Sequence, residues 1–183
     1  MKSLNLVFFI VFPVLLSFSS SGLCQVTDSE SDIDPQKMIN AAEEIMVAAN
    51  TCALITLGDE GFPRARAMDP FAPESDFTVW FGTNPNSRKV FQIKKDPRVS
   101  LYYLANDASG YVTIHGVAHL VNDPQEIENR WKEEWAAFYP DRSKGYILIK
   151  VSPLWMEVVS YAHGITGDSV TWQPPILEFD RIK

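Results

Sequence analysis

The stretch "TNPNSRKVFQIKKDPRVSLYY", residues 83–103, decides how the chain is divided. Before it, "FTVWFGT" (77–83) is rich in aromatic and β-branched residues and predicts a strand. Asn84, Pro85 and Asn86 form a turn, and Ser87 is a residue type that caps helices. Val90, Phe91 and Ile93 supply an apolar helical face, and Asp96 before Pro97 stops the helix. "RVSLYYLA" (98–105) then predicts another strand. The helix begins with Arg88 and Lys89, where the helix dipole is positive and cations cost about 0.3–1 kcal/mol each. Two readings compete for these cations. They can be solvated, or they can hold an anion together with exposed backbone N–H groups and the Ser87 hydroxyl.

Working outward, Asp34 and Pro35 open a helix carrying Met38, Ile39, Ala42, Ile45, Met46 and Ala49, with Asn50 as its stop. "CALITLG" (52–58) predicts a buried strand, "DEG" (59–61) a hairpin turn and "FPRARAM" (62–68) the returning strand. "DPFAPESD" (69–76) is a loop. After the opening stretch, "NDASG" (106–110) is a turn and "YVTIHGVAHLV" (111–121) a strand with Gly116 as a candidate bulge. A helix is expected over 124–138, with Trp131, Trp135 and Phe138 on one face. "PDRSKG" is a loop, and "YILIKV" (146–151) and "LWMEVVSYA" (154–162) are two further strands. Six or more strands with short connections and three helices predict a mainly β (α+β) domain, a small antiparallel barrel with peripheral helices, with an open α+β sheet of the same elements as the alternative.

Composition sets limits on function. The chain has 183 residues, 46% hydrophobic and 12% aromatic, with net charge −7, which fits one domain and excludes a generally basic nucleic-acid face. Lys2 followed by apolar Leu4–Phe18 and small residues 19–22 matches a secretory signal over 1–24, with a polar leader over 25–34 and the folded domain over 35–183. The apolar run is too short to span a bilayer comfortably, so an exported protein with no membrane span after signal cleavage is expected, and an uncleaved membrane anchor is the third reading. Acylation of Cys24 as a lipoprotein is the weaker alternative, because Leu23 is bulky for such a site. Cys52 lies in an apolar strand and reads as a buried small hydrophobe.

Metal chemistry has little support. His115 and His119 share a strand face about 13 Å apart, too far to share one zinc ion. Two basic groups remain: Arg64 and Arg66, two apart in a strand and on one face, and Arg88–Lys89 beside Ser87. Arg66 favours the anion reading, since a strand arginine and a basic helix start can grip a dianion from two sides. Thr83 adds a hydroxyl.

"GFPRARAM", then "FTVWFGTNPNSRKVFQIKKDPRVSLYY", then "GYVTIHGVAHLV" together resemble the pyridoxamine 5′-phosphate oxidase-like superfamily of FMN-binding split barrels, within it the general stress protein branch. The resemblance implies a six-stranded split β-barrel that forms a homodimer with FMN at the interface. It implies that Arg66, Arg88 and Lys89 grip the FMN phosphate with Ser87 assisting. Ala67 and Met68 would flank the isoalloxazine edge, and Thr83 would reach the flavin or ribityl region. Tyr111 stands where the oxidases carry a flavin-contacting glutamine. The expected function is a flavin-dependent oxidoreductase of unassigned substrate and catalytic residues. A non-catalytic flavin carrier, sensor or stress-protective binder is the alternative, and deazaflavin or haem the alternative cofactors. Trp155, Trp172 and Tyr111 could wall the ring, although buried core is the plainer expectation for each. Phe71 replaces the lysine that the vitamin B6 oxidases carry in the flavin strand, and their C-terminal arginine- and histidine-bearing segment is missing. Both departures argue against pyridoxamine phosphate as substrate.

Overall fold

A computed structural model describes residues 33–179. The proposed signal segment and most of the polar leader lie outside the described residues. Helix α1 (Pro35–Ala48) starts at Asp34, whose carboxylate accepts from the Gln36 N–H at 3.0 Å. Met38, Ala41, Ala42, Ile45 and Met46 form its buried face, as the 3.6-residue period requires. The strands are β1 (Cys52–Leu57), β2 (Pro63–Met68), β3 (Val79–Thr83), β4 (Arg98–Leu104), β5 (Gly110–Val121), β6 (Ile147–Ser160) and β7 (Ile176–Glu178). Helix α2 (Arg88–Lys95) joins β3 to β4, and the short helices α3 (Pro124–Asn129) and α4 (Arg142–Gly145) lie between β5 and β6.

All pairings are antiparallel, in the order β2-β1-β4-β5-β6-β3, with β7 also paired to β6. The sheet curls so that α1 packs against β4, β5 and β6 while α2 packs on β1 and β5. Burial alternates along β1, β4 and most of β5, and along the second half of β6. Leu54, Leu101, Tyr103, Val112, Ile114, Met156 and Val158 are buried inside, whereas Ala53, Ile55, Tyr102, Tyr111 and His115 are half-buried on the outer face. The barrel is split between β2 and β3. Among the described residues these strands share no ladder; the chain just after β2 meets β3 at the single bridge Pro70–Phe81 and the Phe71 N–H to Trp80 carbonyl bond of 2.9 Å. This is an antiparallel α+β split barrel.

Four expectations are corrected. The two strands expected over 146–151 and 154–162 are one strand, β6. Pro153 sits at a bulge where Gly116 pairs with Pro153 and His115 with Trp155. Gly116 has no room for a Cβ, which would collide with the Ser152 carbonyl. The helix expected over 124–138 ends at Asn129, is followed by a 3-10 turn at Glu133–Trp135, and leaves Phe138 exposed. The tail adds strand β7, and the expected loop before β6 contains α4. Finally, Trp155, Tyr111 and Trp172 are not core. Trp155 is 38% exposed, Tyr111 is half-buried, and Trp172 is 82% exposed.

Beside the main core lies a second, aromatic one. Trp80, Trp135, Tyr146 and Leu148 are buried there, with Phe71, Trp131 and Tyr139 packed around them. Trp131, Trp135, Tyr139 and Tyr146 are all within 6.4 Å of one another by ring centroid.

Candidate functional site: a basic pocket at the split

Strand alternation points Arg66 to the inner side of β2, in register with Leu54, Leu101 and Ile114 across the sheet. Its guanidinium donates to Thr56 Oγ1 at 2.9 Å and to Gln92 Oε1 at 3.0 Å. The Thr56 hydroxyl also donates to Gln92 Oε1 at 2.6 Å. Gln92, on α2, therefore ties the strand arginine to the helix that carries Arg88 and Lys89. Lys89 Nζ donates to Thr83 Oγ1 at 3.0 Å, and the Ser87 hydroxyl lies 3.4 Å from the same oxygen. Ser87 occupies the cap position of α2, yet its side chain makes no capping hydrogen bond.

The electrostatics of this cluster are one-sided. Arg64 is paired with Glu60 at 3.2 Å, Lys95 with Asp59 at 2.8 Å and Arg98 with Asp96. Among the described residues, Arg66, Arg88 and Lys89 have no carboxylate within ion-pair distance. Burial, followed by the nearby Arg88 and Arg64 charges, lowers the Arg66 pKa from its ordinary value. Burial and the Arg66 charge likewise lower that of Lys89. Two partly desolvated cations, Arg66 and Lys89, with the exposed Arg88 beside them and no counter-charge, are costly in the free protein and are stabilised by a bound anion. The donor set, two guanidinium groups, an ammonium, hydroxyls and a helix N-terminus, suits a phosphate dianion.

The other expected residues sit as follows. Ala67 and Met68 lie on the open edge of β2, where main-chain groups have no strand partner at the split. Ala67 is exposed and Met68 half-buried. Thr83 is buried at the end of β3. The structure thus joins Lys89, Ser87 and Thr83 within hydrogen-bonding distance and brings the Arg66 charge close to those of Lys89 and the exposed Arg88, with Ala67 and Met68 following Arg66 on β2. Tyr111 is not brought there within one chain. It lies on the outer face, three residues along β5 from Ile114, stacked on Tyr102 with centroids 5.5 Å apart. Sequence reasoning missed Thr56 and Gln92. Gln92 follows Lys89 by three residues and so shares its helix face, which was the available signal.

Among the described residues no group of three or more potential metal ligands comes together. His115 contacts the Ser100 hydroxyl at 3.0 Å and stacks on Trp155. His119 is exposed. The outer face beside His115 carries a cleft of about 380 Å³ lined by Ile55, Leu57, Val99, Leu154 and Trp155 among others. Cys52 is buried, and burial pushes its thiol pKa up to about 12, the opposite of an activated nucleophile.

Comparison with known proteins agrees with the fold. The profile of the family described as "Pyridoxamine 5'-phosphate oxidase like" matches residues 37–159. Protein bli-3 of Neurospora crassa is 22% identical over 141 residues, which are 69% of this chain and 68% of that protein. A protein related to general stress protein 26 from Clostridium acetobutylicum has the same fold (TM-score 0.67, 19% identity, 82% of this chain and 100% of that one). The fold also recurs in a heme binding protein from Mycobacterium smegmatis (0.56, 20%, 70% and 56%) and in an F420 reductase (0.51, 20%, 62% and 94%). With the profile spanning most of the described barrel, this chain belongs to the pyridoxamine 5′-phosphate oxidase-like family.

Proposed function

We propose that the protein binds FMN, with the phosphate in the Arg66–Arg88–Lys89 pocket and the ring in the split beside Ala67 and Met68, and that it acts as a flavin-dependent oxidoreductase. The observation that carries this reading is the set of three cations with no carboxylate partner among the described residues, beside an open strand edge. When bound, the flavin would supply the redox chemistry. The chain's own residues would do the holding. Arg66 and Arg88 offer forked N–H donors, Lys89 a point charge, and Ser87 and Thr83 hydroxyls. The outward-facing main-chain groups of the open β2 edge at Ala67–Met68 would offer hydrogen bonds to the edge of a planar heterocycle. The fold's occurrence in proteins named for heme binding and F420 reduction makes haem and deazaflavin the competing ligands.

We also propose a homodimer through the outer sheet face, supported by the half-buried aromatic residues Tyr102 and Tyr111 and the exposed Trp155 there. Export is the third part of the proposal, supported by the signal pattern over 1–24. N-terminal sequencing of the protein from its native host should find a start after residue 22 or 24, and a start at Met1 would contradict it. A flavin carrier or sensor without turnover is the second reading. It is favoured because Asp69, the carboxylate nearest Met68 in the chain, is already occupied by Lys132 and Trp135.

The test is reconstitution of the purified protein with FMN, riboflavin, haem and F420 separately, followed by gel filtration. Co-elution of FMN with its visible absorption band supports the proposal. Retention of haem or F420 with FMN left free refutes it. Bleaching of the bound band by a reductant and its return with an acceptor then separates oxidoreductase from carrier.

A further inference from the structure

The chain from Arg130 to Tyr146 grips both sides of the split at once. On the β2 side, Lys132 Nζ donates to the Asp69 carboxylate and to the Pro70 carbonyl, the latter at 2.9 Å. Trp135 Nε1 donates to the other Asp69 oxygen at 2.9 Å. The Phe71 ring packs edge-on against Trp135 at 5.5 Å, and the Lys132 ammonium lies over both rings at 5.2 and 5.1 Å. On the β3 side, Trp135 and Tyr146 press on Gly82, where a Cβ would collide with both rings. Gly82 precedes Thr83, and Asp69 follows Met68. A single buried indole therefore touches the residues next to both walls of the split. Arg130 anchors the same segment from behind, over the Trp80 ring at 3.9 Å and paired with Glu74 at 2.8 Å.

We propose that this aromatic strap fixes the width of the split, with Asp69 and Trp135 as positioning residues that set the Ala67–Met68 edge against the flat ring of the bound cofactor. The inference rests on the flavin reading of the split. It assigns these residues no contact with the phosphate, which is held from α2 and the inner face of β2. The strap and the basic pocket thus act on different parts of one ligand, and ligands that differ only in the phosphate separate them.

Asp69→Asn removes the charge that Lys132 grips, and Trp135→Phe removes one hydrogen bond while keeping a ring against Phe71 and Gly82. Affinities of the full chain for FMN and for riboflavin are measured by flavin fluorescence at a temperature well below the melting point of each variant. Both variants should weaken both ligands by the same factor, roughly three- to tenfold, the scale of one lost hydrogen bond. The FMN-to-riboflavin ratio should stay as in the unaltered protein, and the visible band of the bound flavin should shift. If Asp69→Asn does not fold, Trp135→Phe carries the same comparison. Unchanged affinities with lowered melting temperature would make the strap merely structural and overturn the proposal. Weakening of FMN alone would overturn it too. If the unaltered protein binds neither flavin, the proposal and the flavin reading fall together. If it binds both and only the variants behave as wild type, the positioning role alone falls.

Discussion

Lys89→Met tests the basic pocket by predicting opposite signs for stability and binding. The Lys89 ammonium is partly buried, has Thr83 Oγ1 as its hydrogen-bond acceptor and has Arg66 close by. Methionine has a similar length and no charge. Its introduction removes the desolvation cost and relieves the repulsion on Arg66, while Thr83 keeps its contact with Ser87. The ligand-free protein should therefore become slightly more stable, by up to about 0.5 kcal/mol, the usual scale for a substitution at a half-exposed site. For a domain of this size, that raises Tm by up to about 2 °C. FMN binding should lose one charge-assisted hydrogen bond, about 1.5–3 kcal/mol, or roughly 10- to 150-fold in Kd. Riboflavin, which lacks the phosphate, should bind the variant as it binds the parent. The assay is a pair of thermal melts and flavin titrations in low-salt buffer free of phosphate, because salt screens the cations and phosphate competes for them. A fall in Tm of several degrees with FMN affinity held within twofold would refute the reasoning, since Lys89 would then be a structural residue.

FMN affinity should fall on both sides of neutrality. Below about pH 6 the phosphate takes up its second proton. On the alkaline side Lys89 must stay charged to bind, and its lowered pKa means that the loss begins below the pH of a free lysine; the alkaline limb should be missing from Lys89→Met. Gly82→Ala should destabilise the fold by about 1–3 kcal/mol or more in urea melts, because the added methyl meets Trp135 and Tyr146 in a packed core. Cys52 should resist alkylation in the folded protein at pH 8. Its folded pKa near 12 lies above the ordinary 9.0, so its contribution to stability is full below pH 9 and is lost as pH rises towards 12. Cys52→Ala should flatten that alkaline decline, and an unchanged slope would assign it to other groups.

Much of this protein follows from local periodicity alone. The cap of α1, the hairpin of β1 and β2, and the position of α2 behind its turn all depend on residues within a few positions of one another. The basic group of Arg66, Arg88 and Lys89 beside Ser87 was also conspicuous in the sequence. Strand alternation fixes which way Arg66 points, and helix polarity makes two cations at an N-terminus conspicuous without an anion. Only the tertiary structure supplied Gln92 and Thr56 as their framework, since those hydroxyl and amide bonds join residues 26 and 36 positions apart.

The expected helix over 124–138 shows the limit most directly. Its apolar spacing was helical, but Arg130 must reach Glu74 and Trp80 while Lys132 reaches Asp69. A helix would turn residues two apart to nearly opposite sides, so it cannot serve both. The chain breaks there instead, and burial of Trp135 and Tyr146 against Gly82 outweighs the lost helical bonds. β6 likewise continues through Pro153 because Gly116, on the neighbouring strand, leaves room for the bulge. Sequence determined the elements whose causes are local and the charges that mark the pocket. The tertiary fold decided where long-range partners override local preference, and with it the width of the split in which we place the ligand.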